Sequence, residues 1–368
     1  MDEPKVSILW INYNSSSFMD LASESLQAVN NLDYSNYELI LVDNGSVDGS
    51  LSTISAYLKE TSMITKIIRL NRNLGFTGGN NVAYAARDSN SKYILLLNND
   101  AVPRKDSLRK LVGFMEADQA LGAAQGVVLN LDEKSIDTAG DYLSELLEAT
   151  SLFQGQDLRS LKEPVYASFA DAAYSIFRIK AVNMIPNQQG HLFDDYLFGY
   201  FDDHMLGLKL WNIGFKVKAF PIITAKHRRG TSFQKAQAQP LRTYLRTRNL
   251  LILNEIANSR YKTLIKLLCF RQLSTYFFHK MIGSNIERKT GEIPTLTSKA
   301  FTDGIRIGRT RHRLGERIDI YKAPILKVEP STAFIGTTIS LQLTGFHLEK
   351  SLDQIANYCN TMAHESQL

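Results

Sequence analysis

Four short apolar runs, each closed by polar residues, constrain this chain more than any other feature. Val6 to Ile11 is followed by Asn12, Tyr13 and Asn14, and Glu38 to Val42 by Asp43, Asn44, Gly45 and Ser46. Lys66 to Leu70 is followed by Asn71, Arg72 and Asn73, and Tyr93 to Leu97 by Asn98, Asn99 and Asp100. Runs this apolar suit strands covered on both faces and are short for buried helices. Helical spacing lies between and after them: Phe18, Leu21, Ala22 and Val29, then Leu51, Ile54 and Leu58, then Leu108, Leu111, Val112 and Met115. Ser17 with Asp20 resembles a capping box, and Asp48 stands at the next helix start. Strand and helix alternating at this pace predict an α/β fold with a doubly wound, mainly parallel sheet. Successive βα units bring the polar strand ends to one edge, where open α/β sheets bind ligands. One such turn is ordinary, since Asn and Asp favour turns. Four turns on one edge predict a site, with Asp100 placed to hold a divalent cation on a phosphorylated substrate.

Asp43 at a strand tip invites comparison with a dinucleotide site, but the first turn, Asn12 to Ser17, has no glycine. The P-loop pattern is absent as well. The edge then suits a nucleotide site of another kind, with Asp43 accepting hydrogen bonds from a base or ribose. Gly75, Gly78 and Gly79 would let backbone approach the ligand closely.

Beyond Ala123 the sheet continues through AAQGVVL, residues 131 to 165 give no clear periodicity, and Asp171 to Arg178 reads as a further strand. Asp202 and Asp203 fall at a helix start, with Leu206, Leu210 and Ile213 on its buried face. Acidic residues there suit the helix dipole, and an adjacent pair after an aromatic run also suits a general base. Phe215 to Phe220 alternates as a strand, and Lys226, His227, Arg228 and Arg229 are expected in the loop after it. A loop histidine is usually only solvated, yet neutral imidazole is a common metal ligand.

The two cysteines, Cys269 and Cys359, exclude a disulfide scaffold and a structural zinc site. Neither a signal peptide nor a spanning helix is expected, so the expected location is cytoplasmic. Between Leu241 and Lys322, 17 Lys and Arg stand against 6 Asp and Glu, a net +11 against +5 for the whole chain. Such a basic, mainly helical appendage points to an anionic partner. Arg246 and Arg248 are placed to reach a donor diphosphate or an anionic acceptor. Lys262 to Ile282 suits either a membrane interface at the inner face of the cell membrane or packing, within the chain or in a homodimer. No nucleic-acid motif accompanies the basic residues, and no nucleic-acid partner is expected.

VSILWINYN, LVDNGSVDGS, NLGFTGGNN, LLLNND, YFDDHMLGLKLWNIGF and LRTRNLLIL, in that order, resemble the family 2 glycosyltransferases, and most the rhamnosyltransferase-like branch. The resemblance runs from about Val6 to Leu253. It implies the GT-A fold, inversion at the anomeric carbon, a nucleotide-sugar donor (UDP-, dTDP- or GDP-linked), and a divalent metal, Mn²⁺ or Mg²⁺. By the same resemblance Asp43, with Asn12, Tyr13 and Asn14, would hold the base. Asn73, Gly75, Gly78, Gly79 and Asn80 would line the donor. Asn98, Asn99 and Asp100 take the place of the DxD motif, so Asp100 would be the main metal ligand and His227 would complete the site. Asp203 would be the catalytic base, with Asp202 before it. Met205 stands where the family often has a further acid, which bears on acceptor contacts. The implied acceptor is a glycan or lipid-linked hydroxyl. The organisation expected is a catalytic region over residues 1–240, split near 102 into nucleotide-sugar and acceptor halves. A basic appendage over 241–322 and a tail over 323–368 would follow. A nucleotidyltransferase or a non-catalytic nucleotide-sugar-binding protein are the alternatives. The first would need a basic glycine-rich loop near the N-terminus, which this chain lacks.

Overall fold

The computed structural model describes residues 3–188, 190–229, 239–270 and 293–329. The first part alternates as the periodicity requires: β1 (Val6–Asn12), α1 (Met19–Asn30), β2 (Tyr37–Asp43), α2 (Ser50–Lys59), β3 (Thr65–Arg69), α3 (Gly75–Ala85) and β4 (Tyr93–Asn98). Then come β5 (Ala101–Pro103), α4 (Ser107–Ala117), β6 (Leu121–Asn130), β7 (Ile136–Thr138), the small pair β8 (Tyr142–Leu143) and β9 (Ala149–Thr150), β10 (Val165–Tyr166), β11 (Tyr174–Arg178) and α5 (Ile179–Asn183). The last described elements are α6 (Asp202–Asn212), β12 (Lys216–His227), α7 (Gln239–Ile256), a helical segment over residues 262–270, and α8 (Ile293–Arg313).

The main sheet runs β10-β12-β6-β11-β4-β1-β2-β3, with β5 on β12 and β7 on β6. β3, β2, β1 and β4 are parallel, and β12 is parallel to β6. β11 lies antiparallel between β4 and β6. Side chains alternate across the central strands with a period of two. Ile8, Trp10, Leu39, Leu41 and Leu95 face one core with Leu26, Ile54 and Leu111 of the helices. Leu9, Ile40, Val42, Ile94 and Leu96 face the other with Tyr84, Phe193 and Leu206.

Three local expectations change. Ser16–Phe18 form a 3-10 turn, and α1 begins at Met19 without a side-chain cap, so Ser17 and Asp20 do not form a capping box. Asp48 instead accepts hydrogen bonds from the backbone N–H groups of Ser16 and Ser50, tying the first loop to the start of α2. The strand expected over residues 171–178 begins only at Tyr174, because the Asp171 carboxylate turns back to accept from the Ala173 N–H. Finally, His227 is not in a loop but ends the twelve-residue strand β12. The strand expected to stop at Phe220 continues through Pro221, which sits at a register shift between Ala219 and Ile223. A bulge leaves the missing N–H without a ladder partner to satisfy.

The region expected as an appendage is built into the second core. Leu253, Ile256, Ile318, Ile320 and Leu326 pack in the cluster that holds Phe169, Leu206 and Leu210. Leu326 donates its N–H to the Leu143 carbonyl, and Ser168 donates its hydroxyl to the Pro324 carbonyl. α7 and α8 approach backbone to backbone: a Cβ at Gly304 would lie 2.6 Å from the Arg248 carbonyl oxygen. Among the described residues no helix is long and apolar enough to cross a membrane. The rest of the interfacial segment, 271–282, and the tail beyond 329 lie outside the described residues.

Candidate active site

Register brings the polar strand ends together. Asn12 is paired with Asp43, Ile11 with Asn98, and Asp43 with Arg69. Asn12 is a hub: its amide donates to the Asp43 carboxylate at 2.8 Å and to the hydroxyls of Ser46 and Ser50, and Ser15 donates to its carbonyl. Asp43 is fully buried, and its second oxygen accepts from the Ser46 N–H. The side chains of Asn12 and Asp43 thus hold two turns together, and what those turns present outward is Tyr13, 38% exposed, and Asn14, with a left-handed φ of 48°.

The next turn is built likewise. Asn44 donates to the Asn73 side chain and the Gly75 carbonyl, and accepts from the Leu74 N–H. Gly75 has a φ of +76°, and a Cβ there would meet the Phe198 carbonyl oxygen at 2.0 Å. The close approach that demands this glycine is therefore made by another part of the chain. Gly78 and Gly79 face Leu74, Ile11 and Asn44 in the same way, and the Asn80 amide bonds back to the Phe76 carbonyl.

Asp100 follows Asn98 and Asn99 at the end of β4. Residues 101–103 then pair antiparallel with β12, Ala101 opposite His227, and the Arg228 N–H donates to the Asp100 carbonyl. That pairing sets the His227 Nε2 3.1 Å from Asp100 Oδ1. On the far side of the ring, Nδ1 lies 2.8 Å from Asp137 Oδ2. Arg229 continues the network, donating from Nε to Asp137 at 2.6 Å and from its terminal nitrogen to Asp171 at 3.1 Å. Burial works against charge on His227, but the hydrogen bonds from Asp100 and Asp137 outweigh it and push its pKa up to about 10. Burial likewise opposes ionisation of Asp137, and bonding to His227 together with the Arg229 charge holds its pKa below the ordinary value.

The acidic pair opens α6 as expected. Burial, then the neighbouring Asp203 charge, push Asp202 up to about 7. Burial would raise Asp203 too, but His204 reverses that and holds it low. The His204 Nδ1 lies 2.5 Å from Asp203 Oδ1. Its ring is stacked on both Phe169 and Phe201, with centroids 4.2 and 4.8 Å away. Burial disfavours the imidazolium, and Asp203 more than offsets that, so the His204 pKa is raised. Asp171 is near enough to Asp202 to contribute to its shift. A hydrogen-bonded network therefore runs from Asp100 through His227, Asp137 and Arg229 to Asp171, and the Asp171 charge is felt at Asp202.

Asp137, Asp171, His204 and Arg229 belong to this network and were not among the predicted site residues. Asp137 sits on a three-residue strand within the stretch that showed no periodicity, which left no signal to find it. His204 could have been found from its place next to Asp203. Arg248, by contrast, is committed elsewhere: it is buried and its guanidinium donates to the carbonyls of Tyr196 and Leu197. Arg246 is exposed on α7. Met205 is fully buried.

Residues 7–183 match the family model for glycosyl transferase family 2. Among curated relatives, an uncharacterized glycosyltransferase of Haemophilus influenzae is 28% identical over 137 residues, 37% of this chain and 41% of that protein. The putative glycosyltransferase EpsE of Bacillus subtilis is 30% identical over 115 residues, 31% of this chain and 39% of that one. The chain thus spans less than half the length of the curated relatives it matches. A crystal structure of GalNAc-T7 with UDP, GalNAc and Mn²⁺ superimposes with a TM-score of 0.56 at 13% identity, covering 86% of this chain and 59% of that one. The fold is GT-A, and residues 7–183 are similar to the family 2 glycosyltransferases.

Proposed function

We propose that this protein transfers a sugar from a nucleotide-diphosphate donor to an acceptor hydroxyl, with inversion and with the help of a divalent cation. The observation that carries this reading is the buried network from Asp100 and His227 at the strand ends through Asp137 and Arg229 to Asp171, with the Asp171 charge felt at Asp202, which opens α6 beside Asp203. One end suits a diphosphate and its cation, the other a proton acceptor.

Asp100 and His227 would hold a cation such as Mn²⁺ or Mg²⁺, which would displace the proton that the two carboxylates keep on the imidazole. Asp100 offers a carboxylate oxygen, and Asp137 on Nδ1 orients His227 so that Nε2 faces it. A carboxylate behind a ligating imidazole is the usual support of a metal-bound histidine. Asp100 and His227, 3.1 Å apart, would be the two protein groups holding the cation, with the donor diphosphate supplying further oxygens. When bound, the cation would offset the negative charge that develops on the leaving diphosphate. Tyr13, at the open edge, offers a ring for stacking on the base. Asp203 takes the proton of the acceptor hydroxyl as that oxygen bonds to the anomeric carbon. The bond from carbon to phosphate oxygen breaks, and the nucleoside diphosphate leaves with the electron pair. His204, on the Asp203 carboxylate, holds it ionised for that task.

The acceptor is a glycan or lipid-linked hydroxyl in this reading, and peripheral contact with an anionic membrane goes with it. Leu267, Phe270 and Leu314 are exposed, as are Arg306, Arg309 and Arg313, a mixture that suits a headgroup boundary. Flotation with phosphatidylglycerol vesicles checks this, and equal partition with neutral vesicles at low salt removes it. For the donor, nucleotide-sugars are screened by thermal unfolding with and without Mn²⁺, since a ligand of the native state raises the midpoint. The reading expects one base and sugar to stand out and to require the cation. No shift from any nucleotide-sugar would overturn it.

A further inference from the structure

Among the described residues, three of the seven non-glycine residues with positive φ lie in the loop before Asp202. Phe198, Tyr200 and Phe201 all adopt left-handed φ angles, of 67°, 64° and 68°. Such angles are costly for residues with large side chains and persist only where the surroundings enforce them. Here the enforcement is visible. The Asn249 side chain, fully buried on α7, donates to the carbonyls of Leu197, Gly199 and Tyr200 at 3.2, 2.8 and 2.8 Å. Arg248 donates from Nε to the Asn249 side-chain oxygen at 2.9 Å, which fixes the amide with its NH₂ toward the loop. From the opposite side the donor half grips the same loop. The Phe198 carbonyl accepts from the Thr77 N–H and presses on Gly75. Asn81 of α3 bonds the backbone of Leu192 and Phe193 just upstream. Downstream, the Phe201 ring stacks on His204, which holds Asp203.

We propose that Asn249 is a positioning residue: it locks the left-handed loop 197–201 so that Asp203 is fixed relative to the donor half. The proposal rests on the reading of Asp203 as the proton acceptor, but the lock itself is testable without substrate. The test compares the full chain with Asn249→Ala, and with Asn249→Ser should the alanine variant fail to fold. Hydrogen exchange followed by mass spectrometry is expected to speed by about tenfold or more in residues 196–203 while β1, β2 and β4 stay protected. The His204 titration, followed by NMR, is expected to move down as the ring loses its fixed place beside Asp203. Adding Tyr200→Gly, which accepts a positive φ freely, is expected to restore part of the protection, a rescue that a merely structural asparagine would not show. With the donor found by thermal screening, kcat falls while the donor KM holds. Unchanged exchange in 196–203, or loosening spread evenly over α7, overturns the lock. Should Asp203→Asn keep full transfer while Asn249→Ala still loosens the loop, the role of Asp203 is wrong and the lock stands.

Discussion

Two sides of one cleft are held in place by different means. The strand-end edge is carried on parallel ladders, with Asn12, Asp43 and Asn98 placed by register against their neighbours. The loop from Leu192 to Phe201 has no ladder; Asn249, Arg248 and Asn81 hold it by single side chains bonded to its backbone. Strand position on the first side is shared among many backbone bonds, so a single side-chain change there leaves the strands in register even where it loosens a turn. Position on the second side depends on a few groups, so one substitution can move everything downstream.

The largest expected effect lies at the join of the two. Asp203→Asn is expected to reduce transfer by about 10²- to 10⁴-fold while the donor-induced rise in unfolding midpoint persists. Loss of donor affinity with transfer intact would place Asp203 on the wrong side of the comparison. On the ladder side, Asp137→Asn leaves the strand ends in register but weakens the support of His227. Mn²⁺ affinity, read by calorimetry, is expected to fall about 10- to 100-fold. Asp100→Ala should abolish the cation dependence of donor binding altogether. Unchanged affinity with and without Mn²⁺ counts against that cation site.

Two glycines sharpen the contrast in stability. Gly75 and Gly49 both have positive φ, but nothing lies within 4 Å of a Cβ at Gly49, whereas one at Gly75 meets the Phe198 carbonyl. Gly49→Ala is expected to cost about 1 kcal/mol in urea unfolding from backbone strain alone. Gly75→Ala should cost about 3 kcal/mol or more, because the two halves can no longer meet. Equal costs would show that the loop yields easily.

A further contrast is a pH dependence. Burial and the nearby Asp171 push the Asp141 pKa up to about 7, with Thr138 donating to it at 2.9 Å and Arg229 opposing the shift. The folded protein then holds a proton that the unfolded chain releases above about pH 4. Stability from this group falls as pH rises from about 4 to about 7 and is flat beyond. Asp141→Asn keeps the Thr138 bond without the charge, so it should stabilise the protein at pH 8 and much less at pH 5. A gap between variant and parent that does not change with pH would show that Asp141 is already ionised.

The same contrast explains what the sequence disclosed. Strands buried on both faces write themselves as apolar runs, and their polar ends are conspicuous, so β1 to β4, Asp100 and the four-sided edge were legible. The Asp202–Asp203 pair was legible because a helix start follows an aromatic run. Asp137 and Asp171 were not, since one lies on a three-residue strand and the other at a turn, and their partners are 90 and 58 residues away. Pro221 hid the end of β12 and with it the strand position of His227. The charge of residues 241–322 suggested an outward-facing appendage, while Leu253, Ile318 and Leu326 show an inner face that charge counting does not register.

The distance along the chain between Asp100 and His227 also sets a schedule. These partners are 127 residues apart. At a synthesis rate of about 5–20 residues per second, Asp100 waits roughly 6 to 25 seconds for its imidazole. Asn249 leaves the ribosome later still. The first parallel strands can pair while the remainder is being made, but every charged group of the cleft must remain hydrated until the last partner arrives. A nascent chain released before residue 249 would carry most of its sheet and none of its locked loop.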